Sequence, residues 1–265
     1  YPATGPIRAG VALQINSETI RPLSAPWADY HDGVGNPFDF EAVESLAGTL
    51  REFIDETGYA LVLDDVVPGG SLERIARHLK ARHSESNATA AIDLTDSSHM
   101  RRILSRKEYV AKSRRLARLG RVDCKHHSDR DEMLRRMPAF VEMHSSRWLD
   151  RVDAVAPFDG GVIDAAFVAM VEHLAPLGRV LLTELTLNDK PIAMYFGFVY
   201  ANRYNAYRTA FEVAHKRLSP GHLMLRQMII DFAAAGFREL DLMRGGYAYK
   251  YEYANRRSNN HRFEL

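Results

Sequence analysis

A chain of 265 residues, 46% hydrophobic and 26% charged, has the composition of a globular protein with room for one large domain or two small ones. Its 35 Lys and Arg stand against 34 Asp and Glu, a formal net charge of +1, which excludes a global basic field of the kind that draws in nucleic acid. Cys124 is the only cysteine, which excludes an internal disulfide and a cysteine-built zinc site. No apolar run approaches the roughly 18 residues of a membrane span and no signal-peptide pattern is visible, so a reducing, cytoplasmic setting is expected.

The chain opens at Tyr1 without a methionine and closes in a strand-like run, Arg262-Phe263-Glu264-Leu265, so the natural protein is expected to be longer. Residues 1–40 are rich in Pro, Gly and aromatics, with short extended runs such as Gly10 to Ile15. Phe40 to Thr57 predicts a helix, with Val43, Leu46, Leu50, Phe53 and Ile54 on one face. Gly58 follows at the position where a left-handed cap is usually glycine. Tyr59 to Leu63 reads as a short buried strand, and Pro68-Gly69-Gly70 turns the chain into a second helix. Ser71 is its candidate cap, with Leu72, Ile75, Ala76 and Leu79 facing inward. Ala88 to Leu94 is another extended run. This alternation predicts α/β layer packing.

From Arg101 to Lys125 ten Lys or Arg stand against two acids, Glu108 and Asp123. Arg121 to Lys125 reads as a strand. Asp129 to Trp148 predicts a long helix with Met133, Leu134, Met137, Phe140, Val141, His144 and Trp148 at helical spacing, kinked or broken at Pro138. Val162 to Leu174 predicts another, with Ile163, Phe167, Met170, Val171 and Leu174 on its apolar face. Two hairpins follow. Asn188-Asp189-Lys190 joins RVLLTELTL to PIAMYFGFVY, and Ala201-Asn202 joins that strand to RYNAYRTAFEV; Asn and Asp tolerate the left-handed backbone of such turns. Then come the basic loop His215 to Gly221, the helix HLMLRQMIIDFAAAG, the strand RELDLMRG and the segment GYAYKYEYAN. A basic loop opening a helix straight after a strand is suited to receive phosphate, because the first N–H groups of the helix have no internal partner.

Ser219-Pro220-Gly221-His222-Leu223-Met224-Leu225, the span Gly236 to Asp241, and Arg244-Gly245 followed by Tyr249-Lys250 resemble the acetyltransferase (GNAT) superfamily. The branch they are most similar to holds the cellulose-biosynthesis acetyltransferase-like proteins and the Fem-type transferases. The likeness runs from about Arg101 to the end, with one departure: the pyrophosphate loop, usually rich in glycine, keeps only Gly221. It implies an α/β (α+β) fold with a mixed, mainly antiparallel sheet flanked by helices. Residues 101–265 would form a GNAT-like acyltransferase domain and residues 1–100 a partial, degenerate second half.

An acyltransferase needs a phosphate cradle, a stabiliser for the tetrahedral oxyanion and proton management. Lys216, Arg217, Ser219, Gly221 and His222 are the cradle candidates, although a Ser-Pro helix start with Ser219 as its cap explains the same residues. By resemblance, Lys250 stabilises charge on the reacting group; otherwise it is a surface lysine stacked among tyrosines. Asp241, alternating with Leu240 and Leu242, is either a base or the partner of Arg244 or Lys250. Glu184 is a rival base. Tyr249, with Tyr204, Tyr207 and Tyr247, could protonate a leaving thiolate. His126-His127 beside Cys124 lack a matching pair and read as a solvated strand end, so no metal is expected; His144 reads as a core histidine.

The leading functional expectation is transfer from an acyl-thioester, acetyl-CoA foremost, to an amine or hydroxyl of a small molecule or sugar. In the alternative, the Arg101 to Lys125 cluster holds a charged tRNA for Fem-type peptide-bond formation, unless that cluster is simply a solvated helix. A catalytically degenerate binding module is the third reading.

Overall fold

The computed structural model describes residues 8–148 and 162–265. The side chains of Trp148 and Ile163, expected on apolar faces, lie outside the described residues. Two compact units divide the chain. The first takes Tyr1–Ala90, Arg244–Ala248 and Arg257–Leu265; the second takes Ala91–Met243 and Tyr249–Arg256. Where the sequence reading places the division at residue 100, the compact units part after Ala90 and the first of them takes up two C-terminal segments. The C-terminal strand returns to the first unit because it finds its hydrogen-bonding partner there.

The first unit holds β1 (Ala9–Gly10), β2 (Leu13–Asn16), β3 (Thr19–Pro22), β4 (Val34–Gly35), α1 (Phe40–Thr57), β5 (Ala60–Val66) and α2 (Ser71–His78). Strand β6 (Arg82–Asp93) begins in it and carries the chain onward. Gly58 ends α1 with φ 70°, as the sequence predicts, and Asp39, which the sequence reading did not single out, caps it through its side chain. Val43, Ala47, Ile54, Leu61, Leu63, Leu72, Ile75 and Phe263 build the core. Gly70, not Ser71, occupies the cap position of α2. Strand β6 starts six residues before the run expected at Ala88, because its first half is polar and exposed and leaves no hydrophobic signal. The final strand β12 (Arg256–Glu264) pairs antiparallel with β5, and β5 pairs parallel with β3.

The second unit continues with α3 (Ser97–Leu104), α4 (Lys107–Ala117), β7 (Val122–His127), α5 (Arg130–Trp148) and α6 (Val162–Leu174). Strands β8 (Val180–Leu187), β9 (Lys190–Tyr200) and β10 (Arg203–Phe211) follow, then a 3₁₀ turn (Val213–Leu218), α7 (Pro220–Ala234), β11 (Glu239–Arg244) and α8 (Ala248–Tyr253). Helix α5 is continuous through Pro138. The loop expected before α7 is the 3₁₀ turn. Strands β7 to β10 form an antiparallel meander. Its tight turns hold Asn188, Asp189, Ala201 and Asn202 at φ of 53°, 64°, 48° and 61°. Helices cover both faces: Met133, Met137, Phe140 and Phe167 pack against Leu182, Met194 and Phe196 on one, and Met224, Met228 and Phe232 against Tyr195, Leu240 and Leu242 on the other. Among the described residues, no helix is long and apolar enough to cross a membrane.

Candidate active site

Strands β10 and β11 pair in parallel only from Arg203–Asn205 against Glu239–Asp241, while a register shift between Asn205 and Arg208 interrupts the β9–β10 ladder. Such an irregularity bends a strand. Against the far end of β10 lies a cleft of about 90 Å³, lined by Tyr195, Thr209, Phe211, Gly221, His222, Leu225 and Tyr249. Among the described residues, no carboxylate lines it. Helix α7 begins at the cleft. Ser219 before it holds left-handed angles, φ 53° and ψ 55°, and makes no side-chain cap; such strain in a non-glycine residue is often found at ligand sites. Pro220 has no N–H to give, and the N–H groups of His222 and Leu223 turn back to the Ser219 carbonyl at 3.0 and 3.1 Å. Gly221 thus supplies the first-turn donor that the helix itself does not use. A Cβ at Gly221 would meet only Phe211 Cδ1, at 3.8 Å, so neither backbone geometry nor space within the chain demands glycine here.

Lys216 and Arg217 are exposed on the 3₁₀ turn. A third cation joins them that the sequence did not single out: Lys112 of α4 donates to Ser219 Oγ at 2.9 Å and to Glu108 at 2.5 Å. Its signal was buried in the basic run, since a separation of 107 residues lies beyond any local pattern. Helix α4 also brings Tyr109 flat against His222, with ring centroids 4.8 Å apart. Burial, together with the hydrogen bond to Glu252 at 3.1 Å, pushes the Tyr109 hydroxyl up to about 12. Burial also pulls the His222 imidazole below its ordinary range, and its Nδ1 lies 3.3 Å from the Tyr253 hydroxyl. A neutral imidazole beside Tyr249 is therefore part of the cleft.

The other candidates are dispersed. Lys250 is 4% exposed, which overturns the surface-lysine alternative; its Nζ donates to the Met243 carbonyl at 3.1 Å. Asp241 is buried opposite Leu240 and Leu242, accepts the Met243 N–H at 2.7 Å and lies 3.9 Å from Arg203. Arg244, expected beside Asp241, instead pairs with Asp29 and Asp65 at 3.0 and 2.6 Å. Glu184 points to the α5 face of the sheet, away from α7, where His127 and Arg136 donate to it at 3.1 Å each. Burial opposes its ionisation, but the hydrogen bonds from His127 and Arg136 together with their charge outweigh it and hold the carboxyl below the usual range. The structure does not bring Glu184 to the cleft. Tyr204 is fully buried and its hydroxyl is pushed up by burial alone; Tyr207 stacks on Phe167 of α6, and Tyr247 is exposed. Tyr249 is the tyrosine of the four that lines the cleft.

His126 and His127 face opposite sides of β7. Cys124, His126 and Asp231 do converge, with ligand atoms within 4.8 Å of one another. Thr183 and Asp231 take the two ring nitrogens of His126 at 2.8 and 3.0 Å, which commits the imidazole to a hydrogen-bond chain. Burial first, then Asp231 and Glu184, push the Cys124 thiol up to about 12. His144 is buried beside Phe140, as expected of a core residue.

The sequence profile of the acetyltransferase (GNAT) domain family matches residues 104–251. No curated protein matches in sequence. Among solved structures, the C-terminal domain of a protein assigned as a lysylphosphatidylglycerol synthetase of Agrobacterium fabrum superposes with a TM-score of 0.70 at 13% identity, covering 97% of this chain and 80% of that one. The L-PGS of Bacillus licheniformis gives 0.66 at 11% identity, with 97% and 80% covered. FemX gives 0.60 at 12% identity, with 91% and 82% covered. At these identities the likeness is one of fold.

Proposed function

From the premise that the chain belongs to the acetyltransferase (GNAT) domain family, and so to the acyltransferases, we propose that it transfers a short acyl group from acyl-CoA to the amine or hydroxyl of a small molecule or sugar in the cytoplasm. One observation carries this reading: the N-terminus of α7 abuts a small cleft walled by Tyr195, Phe211, Leu225 and Tyr249, with no carboxylate in its lining among the described residues. An aminoacyl donor would bring an α-ammonium that needs an acidic partner; a short apolar acyl group needs none. Lys112, Lys216, Arg217 and the Gly221 N–H receive the donor phosphates, favoured by the helix dipole.

In the reaction the acceptor nitrogen or oxygen attacks the thioester carbonyl carbon. Its proton passes to neutral His222, and the carbon–sulfur bond of the tetrahedral intermediate breaks. The leaving thiolate takes a proton from Tyr249, and solvent restores both side chains. Lys250 is assigned to support of the developing negative charge, as the resemblance implies. Calorimetry with CoA and acetyl-CoA tests the donor, on the natural chain and on Gly221→Asp. Equal binding by both proteins removes the cradle from this loop.

A second reading rests on α4, whose Lys107, Arg114 and Arg115, with Arg118 just beyond, are exposed on the helix that sends Lys112 to Ser219. This face suits an RNA backbone. Lysylphosphatidylglycerol synthetases, which share the fold, are named for a product that joins lysine to a lipid. If CoA does not bind while an aminoacyl-tRNA does, with an affinity that falls steeply with salt, the donor is the tRNA.

A further inference from the structure

Cys124 and His126 stand two residues apart on β7 and so share one of its faces. Helix α7 brings Asp231 to that face from 105 residues away, a partner that local spacing could not reveal. The three ligand atoms, a sulfur, a ring nitrogen and a carboxylate oxygen, lie within 4.8 Å of one another. Bond lengths of ~2.0 Å to nitrogen and oxygen and ~2.3 Å to sulfur set the ligands of one tetrahedral ion about 3.5 Å apart. His126 Nε2 and Asp231 Oδ2, at 3.0 Å, are already near that spacing. The thiol completes the set with a shift of ~1 Å.

The atoms that would not bind an ion are held in place. Thr183, directly across the ladder from His126, meets its Nδ1 at 2.8 Å, and Phe232 packs on the ring with centroids 4.9 Å apart. Gln227 donates to the other oxygen of Asp231, Oδ1, at 2.8 Å. A partner on the far nitrogen or oxygen is what orients a metal ligand, and here Nε2 and Oδ2 are left facing each other. The side chains of His126 and Asp231 are 23% and 32% exposed, so an ion reaches them from solvent. Asp231 also lies in the last turn of α7, where the helix dipole favours a cation. Burial and the neighbouring carboxylates keep the free thiol protonated; a divalent ion inverts that balance, because a coordinating thiol is deprotonated outright.

We propose that Cys124 Sγ, His126 Nε2 and Asp231 Oδ2 bind one divalent ion of the zinc class, leaving a fourth position open. The ion replaces the proton at Nε2 and the thiol proton, and the ring keeps its proton at Nδ1 against the Thr183 hydroxyl. Among the described strands β7 pairs with β8 alone, so the ion ties the outermost strand of the meander to α7. None of the three residues lines the cleft at Gly221, and the inference does not rest on the acyl-transfer reading.

The test titrates the metal-free full chain, in oxygen-free buffer, with zinc(II), with magnesium(II) and, as a spectroscopic stand-in for zinc, with cobalt(II). Zinc should bind in a single equivalent with micromolar or tighter affinity and raise the melting temperature; magnesium, which prefers oxygen ligands, should do neither. Cobalt should give a sulfur-to-metal charge-transfer band that added zinc abolishes. Cys124→Ser should lose that band and weaken zinc binding about tenfold or more, since even an outer partner of a metal ligand is worth that much. Asp231→Asn, at a partly exposed position, should weaken zinc as much in a chain that stays folded even if Cys124→Ser does not. His83→Ala, which breaks the separate ring pair of His83 and His261, should leave the affinity unmoved. Saturation only at millimolar zinc, absence of the charge-transfer band, equal binding of magnesium, unchanged affinity in Cys124→Ser or Asp231→Asn, or a loss in His83→Ala would each overturn the inference.

Discussion

In the first unit, Asp65 is held by two asparagines, a serine and Arg244 around a polar cavity. In the second, the cleft at α7 is lined by aromatic, hydroxyl and small residues, and Glu184 is turned to the opposite face of the sheet. The first arrangement fixes charge by surrounding it with partners. Among the described residues, the second lines its cleft without a carboxylate, and in the proposed reading the negative charge of a donor meets the cations beside it and a helix terminus. Buried charge alone is therefore a poor guide to chemistry: Glu184 is tied up by His127 and Arg136, whereas the proposed reaction assigns its proton transfers to His222 and Tyr249 at the cleft.

The sharpest way to break this distinction is Glu184→Gln. Removing one member of a buried pair costs about 3–5 kcal/mol, and the partial exposure of Arg136 places the expected loss near the lower end. Denaturant unfolding should show it while CoA affinity is unchanged; a loss of turnover without loss of stability would return Glu184 to the chemistry. The folded-state carboxyls of Glu184 and Asp65 both lie below their ordinary range. Burial works against ionisation of Asp65, but hydrogen bonds from Asn87, Asn260 and Arg244 outweigh it. Their contribution is therefore complete above the unfolded value near ~4 and is lost as pH falls through the depressed folded values. The natural chain should lose stability in that acid window, and Glu184→Gln should lose less.

Next in size is Lys250→Met, which should lower turnover about 10²–10³-fold with CoA affinity nearly unchanged, the pattern of a group that acts in the transition state. Because Lys250 is buried on the Met243 carbonyl, the variant should also lose roughly 1–3 kcal/mol of stability. Normal turnover with a lower melting temperature would make Lys250 a packing residue. Gly221→Asp should weaken CoA binding about tenfold or more, a charge effect of about 1.4 kcal/mol or more, while Gly221→Ala, whose Cβ has room, should bind nearly as well as the natural chain. Equal losses in both would show that the position needs glycine for space alone. The smallest change is expected for Arg114→Ala with Arg118→Ala: stability within about 0.5 kcal/mol per site and unaltered CoA affinity. A weakened CoA complex would extend the cradle along α4.

Local pattern made much of this molecule readable. The hairpin turns at Asn188-Asp189 and Ala201-Asn202, the Gly58 cap, the apolar face of α5, that of α1 apart from the exposed Phe53, and the order of β10, α7 and β11 all follow from periodicity and turn chemistry acting over a few residues. The sequence also pointed to Gly221, His222 and Tyr249, which the fold gathers at one cleft. Tertiary structure decided what depends on distant partners. It sent β12 back to β5, started β6 in a polar run that only sheet pairing stabilises, and drew Lys112 to Ser219 across 107 residues. It gave Arg244 to Asp65 rather than Asp241, and turned Glu184 toward Arg136. Alternation along a strand says that two residues share a face; which layer covers that face, and so whether a carboxylate becomes an ion pair or a base, is settled only when the helices dock.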